Sequence, residues 1–157
     1  MGVWKPVYLE SFNELKLDYV WARTRSITKA KAIVNFAIAV EISPVGLYGK
    51  YDFNISQNGR VVATVALKEQ YTYYDLQVDN PQLWWPNGVG EPHIYDYKVQ
   101  LIKKGTNEEV DERSFPFGIR TVDLNLADKK MEVKVNGYPI YCKGSNWVPP
   151  DMFYPRL

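Results

Sequence analysis

The sequence is poor in the residues that carry most metal and disulfide chemistry. Its 157 residues include one cysteine and one histidine. One cysteine forms no intrachain disulfide, and one histidine with one cysteine falls short of a structural zinc site. No metal and no cofactor is therefore expected. An excess of charge of either sign is also missing. The 19 basic and 18 acidic side chains leave a formal charge of +1, with no basic run. That balance excludes the electrostatic footprint of a nucleic-acid or anionic-membrane partner. No apolar run approaches the ~18 residues that mark a bilayer-spanning helix. The opening Met1-Gly2-Val3-Trp4-Lys5-Pro6 lacks the basic-then-apolar layout of a signal peptide.

What is present is a globular composition with an aromatic surplus. The length suits about one domain, burying roughly two thirds of the surface of its unfolded chain. The aromatic share of 15% leans toward strands, because Tyr, Phe and Trp fit a pleated, half-buried face.

Alternation with a period of two dominates the chain. Val34, Phe36, Ile38, Val40 and Ile42 are apolar at every second position, which predicts a half-buried strand. Before it, Leu17, Tyr19 and Trp21 read as one strand face, and residues 28–31 as a polar connection. Ser43-Pro44-Val45-Gly46 breaks the pattern as a turn, and Leu47, Gly49, Tyr51, Phe53 and Ile55 form the next face. Asn58-Gly59 then predicts a hairpin, since both residues tolerate positive φ. Strands follow over 71–78, 94–102 and 110–117, with a Pro-, Gly- and Asn-rich loop over 79–92. About seven strands at roughly 10-residue spacing, without a helical pattern, predict an all-β fold: an immunoglobulin-like antiparallel β-sandwich.

The ends do not belong to that pattern. Gly2 to Leu9 is strand-like with nothing upstream to pair with. Met131-Glu132-Val133-Lys134-Val135 leads through Asn136-Gly137 into Tyr138-Pro139-Ile140-Tyr141-Cys142, a second hairpin signal. An aromatic, Pro-rich stretch then runs to Leu157, so both ends read as cut, with Met1 not a natural start.

Three segments resemble one family, in order. Gly2-Val3-Trp4-Lys5-Pro6-Val7-Tyr8-Leu9 resembles the last strand of the sugar-binding jelly-roll domain of glycoside hydrolase family 2. Asn80-Pro81-Gln82-Leu83-Trp84-Trp85-Pro86-Asn87-Gly88-Val89-Gly90-Glu91-Pro92 is similar to the signature loop of its immunoglobulin-like middle domain. Phe117-Gly118-Ile119-Arg120, Val135-Asn136-Gly137-Tyr138-Pro139-Ile140 and Lys143-Gly144-Ser145-Asn146-Trp147 resemble the crossing into its catalytic (β/α)8 barrel. Asn146-Trp147-Val148-Pro149-Pro150-Asp151 with Phe153-Tyr154-Pro155-Arg156 is similar to the β-mannosidase branch.

The resemblance implies a division into 1–16, the last jelly-roll strand; 17–123, the sandwich; and 124–157, the start of a truncated barrel with a C-terminal hairpin. It implies that the parent is a retaining exo-hydrolase releasing terminal β-mannose, with β-mannosides or manno-oligosaccharides as partners beside its own jelly-roll and barrel domains. Such chemistry needs two carboxyl groups about 5–5.5 Å apart. The family's two Glu lie on later barrel strands, so no catalytic residue is expected here and the chain alone is expected to be inactive. By resemblance the compartment is periplasmic, secreted or lysosomal, and the sequence does not choose.

Trp84 and Trp85 are expected to cover the sandwich end and brace neighbouring domains rather than to stack on sugar. Arg120 is expected to make an interdomain or strand-end salt bridge. Asn146 and Trp147 are candidate substrate contacts only in the intact parent, and unsupported here. His93 reads as a surface or interface residue rather than an acid–base catalyst, and Cys142 as a small buried residue. Glu108, Glu109, Asp111 and Glu112 read as a solvated strand edge. The residues leave two other classes open: a carbohydrate-binding module using Trp84, Trp85 and the tyrosine-rich faces, and a protein-interaction sandwich.

Overall fold

The computed structural model describes residues 5–42, 47–127 and 131–148. The expected Ser43-Pro44-Val45-Gly46 turn, the start of the Gly2 segment and the motifs from Pro149 to Arg156 lie outside the described residues. Among these described residues, ten strands follow in order: β1 (Leu15–Ile27), β2 (Lys31–Ile42), β3 (Tyr51–Gln57), β4 (Arg60–Ala66), β5 (Tyr71–Asp79), β6 (Tyr95–Lys103), β7 (Glu108–Phe117), β8 (Val122–Asn125), β9 (Glu132–Val135) and β10 (Tyr138–Ile140). The first seven form two antiparallel sheets, ordered β1-β2-β5 and β4-β3-β6-β7. They pack as the immunoglobulin-like sandwich that the alternation predicts.

Alternation explains the core. Val34, Phe36, Ile38 and Val40 of β2 face Tyr51, Phe53 and Ile55 of β3 and Tyr97, Val99 and Leu101 of β6, and all are buried. Each fully buried apolar side chain of this size contributes about 1.5–3 kcal/mol. At the centre the Phe36 ring meets Tyr97 edge-on at 5.2 Å, and Tyr97 meets Phe117 at 5.9 Å. The Tyr97 phenol is pushed up by this burial, and it accepts from Gln57 at 3.2 Å. Both Asn-Gly pairs turn hairpins with positive φ, at 49° and 80° for Asn58 and Gly59 and at 52° and 78° for Asn136 and Gly137.

Two features differ from the reading of the sequence. The register of β1 on β2 shifts between Leu17 and Tyr19, leaving Asp18 as an extra residue. Leu17 therefore stays in the core, whereas Tyr19 and Trp21 turn to the opposite, outer face. The bulge is held from the other sheet, where Asp111 of β7 accepts the Leu17 amide proton at 2.8 Å. Asp111 is thus a cross-sheet tie rather than part of a solvated edge. At the N-terminal side, residues 5–9 form no strand, because no described strand pairs with them, and Val7, Tyr8 and Leu9 are exposed. β1 already begins at Leu15, whose side chain lies in the sandwich core.

Beyond β7, the expected β9–β10 hairpin forms, and β8 joins it as a third strand in the order β10-β9-β8. This small sheet sits at the end of the sandwich where the loop between β5 and β6 crosses.

Candidate functional site

The β5–β6 loop carries the two adjacent tryptophans, and each ring rests on a glycine. A Cβ on Gly118 would stand 2.7 Å from Cβ and Cγ of Trp84, and one on Gly90 would stand 2.9 Å from Cγ of Trp85. No side chain fits at either place without moving an indole, so close approach is the reason for these two glycines. The Trp84 amide donates to the Ile119 carbonyl at 2.9 Å, and the Trp85 amide donates to the Glu91 carbonyl at 3.1 Å. Trp84 also bridges to Pro92, closing the loop on itself, and the Val89 amide donates to the Pro86 carbonyl at 3.1 Å. Upstream, the Gln82 amide donates to the buried Tyr95 hydroxyl at 2.8 Å.

Arg120 completes the Trp84 site. Its guanidinium lies 4.4 Å from the indole centroid, and its amide donates to Thr24 Oγ1 at 3.3 Å. Among the described residues no carboxylate lies within ion-pair distance of it. In place of a strand-end salt bridge it makes a cation–π contact, which a planar, weakly hydrated guanidinium makes well. Trp84 is therefore held between Gly118 and Arg120, on the segment that leaves β7.

Asn136 connects this unit to the small sheet. Its positive φ turns the β9–β10 hairpin, which aims the side chain back at the sandwich. Its Nδ2 donates to the Trp84 carbonyl at 3.0 Å, and its Oδ1 accepts the Thr121 amide proton at 3.0 Å. Its own amide donates to the Thr121 carbonyl at 3.0 Å. One side chain thus ties the tryptophan loop, the β7–β8 link and the β9–β10 turn. The sequence marked Asn136 as a hairpin residue within a motif, and Gly90 and Gly118 only as parts of motifs. Nothing local could show what their side chains, or lack of one, would meet.

The remaining candidates do not gather here. Asn146 and Trp147 are exposed, with Trp147 82% accessible. Cys142, expected to be buried, lies past the end of β10 and is exposed, because no described element packs over that stretch. His93 stands edge-on to Tyr95 at 4.7 Å beside the loop. Glu109 and Glu112 are exposed and accept from Gln100 and Lys98 of the neighbouring strand. The carboxyl pKa values of Glu10, Glu14 and Glu112 are all displaced downward, held there chiefly by hydrogen bonds from Lys16, Tyr51 and Lys98 respectively.

Comparison with known proteins joins these observations. The family described as Glycosyl hydrolases family 2 matches residues 15–120. Beta-mannosidase B of Emericella nidulans is 33% identical over 96% of this chain and 18% of its own length. Its counterpart from Aspergillus oryzae is 31% identical over 99% of this chain and 19% of its own length. Among solved structures, the beta-D-mannosidase of Dictyoglomus thermophilum superposes with a TM-score of 0.66 at 29% identity, covering 94% of this chain and 19% of that one. A family 2 glycosyl hydrolase of Bacteroides cellulosilyticus shares the fold, with a TM-score of 0.64 at 23% identity over 85% of this chain and 19% of its own. The chain thus spans about a fifth of the relatives it matches, and the matched segment begins at the first residue of β1 and ends at the arginine stacked on Trp84. A sandwich so delimited, with its tryptophan loop seated on Gly90 and Gly118, belongs to family 2 of the glycosyl hydrolases.

Proposed function

We propose that this chain is the immunoglobulin-like middle domain of a longer retaining β-mannosidase, acting as a non-catalytic spacer. In this reading, residues before β1 come from a jelly-roll domain and the β8–β9–β10 sheet opens a catalytic barrel. The parent removes terminal β-mannose with two Glu carried on later strands of that barrel. Asn146 and Trp147 then follow the first barrel strand, at the end where barrel active sites lie.

The joint at Trp84 is the observation that carries the proposal. A spacer must hold its neighbours to a fraction of an ångström for loops of both to complete one pocket. The Trp84 indole packed on Gly118 and capped by Arg120, with the Trp84 main-chain carbonyl tied to Asn136, makes a stiff link between sandwich and small sheet. The names of the fungal relatives support the mannoside as substrate class. The test is hydrolysis of p-nitrophenyl β-mannoside by this chain alone, purified from a host lacking such activity. No release of nitrophenol is expected; turnover that survives purification controls overturns the spacer reading.

A further inference from the structure

The sequence holds three Asn-Gly pairs: Asn58-Gly59, Asn87-Gly88 and Asn136-Gly137. An asparagine followed by glycine, which has no Cβ to block the approach, is open to an uncatalysed covalent reaction. The main-chain nitrogen of the glycine attacks Cγ of the asparagine side chain and closes a five-membered succinimide. The bond from Cγ to Nδ2 breaks, and ammonia leaves with the proton that the main-chain nitrogen gives up. Water then opens the ring at either carbonyl, leaving aspartate or isoaspartate. Only water is consumed, and nothing is oxidised or reduced.

Steric access does not separate the three pairs. A Cβ at Gly59, Gly88 or Gly137 would meet nothing within 4 Å, so no neighbour crowds any of the three glycines. The difference lies in how each asparagine side chain is held. Ring closure swings Cγ onto the next residue's nitrogen, so the side chain must first give up its hydrogen bonds. Asn136 is held twice, by Nδ2 on the Trp84 carbonyl and by Oδ1 on the Thr121 amide, both at 3.0 Å. Asn58 Oδ1 accepts the Asp96 amide proton at 2.9 Å, and the Asn58 amide donates to the Asp96 carbonyl at 2.8 Å. Both of these pairs lie between strand residues that are themselves in register, Gln57 with Arg60 and Val135 with Tyr138. The Asn87 side chain, in contrast, has no hydrogen-bond partner among the described residues. Asn87 and Gly88 are exposed, in the turn closed by the Val89 amide on the Pro86 carbonyl at 3.1 Å.

We propose that Asn87 is the site of spontaneous deamidation in this chain, and that Asn58 and Asn136 are spared while the chain is folded. Either product puts a carboxylate two residues after Trp85 and cancels the formal charge of +1. Isoaspartate also routes the main chain through Cβ, which adds one carbon inside the Pro86–Val89 turn. Trp85, whose ring rests on Gly90 just past that turn, is therefore subject to a slow, one-way change. The Trp84 side, tied by Asn136, is not. The inference goes beyond the spacer role and does not depend on it.

The experiment is peptide mapping by mass spectrometry after prolonged incubation at mildly alkaline pH, with the chain folded in one arm and unfolded in guanidinium in the other. Conversion at each pair is read from the mass gained when the side-chain NH2 becomes OH, and isoaspartate from its separate retention. In the folded arm Asn87 should convert at least several-fold faster than Asn58 and Asn136. In guanidinium the three rates should converge, because the hydrogen bonds that separate them are gone. Asn87→Gln should remove the acidic species that isoelectric focusing shows in the aged folded chain, since the longer side chain closes its ring far more slowly. An Asn87 that stays intact in the folded chain overturns the proposal, as does equal or faster conversion at Asn58 or Asn136. A rate order that persists in guanidinium also overturns it, because the flanking sequence and not the fold would then set it.

Discussion

Two aromatic regions of this molecule use the same residue types in opposite ways. At the end of the sandwich, Trp84 and Trp85 sit on glycines, with backbone amides tied down and an arginine over one ring. On the outer sheet, Trp21 and Tyr73 project from paired strands and touch solvent over more than half their surface. The first arrangement spends the rings on structure. The second leaves them facing solvent. Aromatic content alone therefore says nothing about function; what the ring rests on decides.

The comparison can be broken by mutation. Trp84→Ala should lower unfolding free energy by about 3 kcal/mol, since it removes the ring packed on Gly118 and beneath Arg120, whereas Trp21→Ala should change it by less than about 0.5 kcal/mol. Urea unfolding of both variants measures the contrast, and equal effects would erase it. Gly118→Ala should cost about 1–3 kcal/mol by overpacking against the indole, with near-ultraviolet circular dichroism reporting the displaced ring.

Smaller effects sharpen the boundary between the regions. Asn136→Ala removes two side-chain hydrogen bonds and places alanine at positive φ, for about 1–2 kcal/mol. Hydrogen exchange at the Thr121 amide should quicken while core amides of β2 and β6 keep their protection. Asp111→Ala leaves the Leu17 amide unpaired, also for about 1–2 kcal/mol. It should alter the outer face through the bulge, seen as a shift in Trp21 fluorescence.

pH separates interior from surface. Burial, and then the hydrogen bond to Glu14, push the Tyr51 phenol up from 10.0 to about 12. Its folded value is the higher one, so its contribution is complete below pH 10.0 and is lost as pH rises toward about 12. Tyr51→Phe should flatten that alkaline loss, while Tyr73→Ala should not. The smallest effect is at the acid side. Glu14, displaced below 4.5 chiefly by the Tyr51 hydroxyl, contributes above that pH and less as pH falls through its folded value. The same Tyr51→Phe change should therefore reduce acid sensitivity slightly.

Much of the fold was legible because strands announce themselves locally. The period-two runs at 34–40 and 95–101 put the correct side chains in the core, and both Asn-Gly pairs turn where expected. The candidate joint was legible only in outline. Trp84, Trp85 and Arg120 stood out by motif, but the Arg120 stack and the Gly118 seat join residues tens of positions apart, and no periodicity marks Gly90 as the seat of Trp85. β8 was missed because its four residues are too few to show a period, and it is a strand only by pairing with β9.

The sequence by itself determined most of the strands, where positive φ is needed and, with a single cysteine, that no disulfide joins two cysteines of this chain. These follow from steric preferences and side-chain chemistry that act within a few residues. Tertiary structure alone decided which way the β1 aromatics point. The inversion at Asp18 is held by an acceptor 94 residues from the Leu17 amide. A run of Leu17, Tyr19 and Trp21 is equally good as one continuous face until that carboxylate captures the amide. Only then do two of the three turn to solvent.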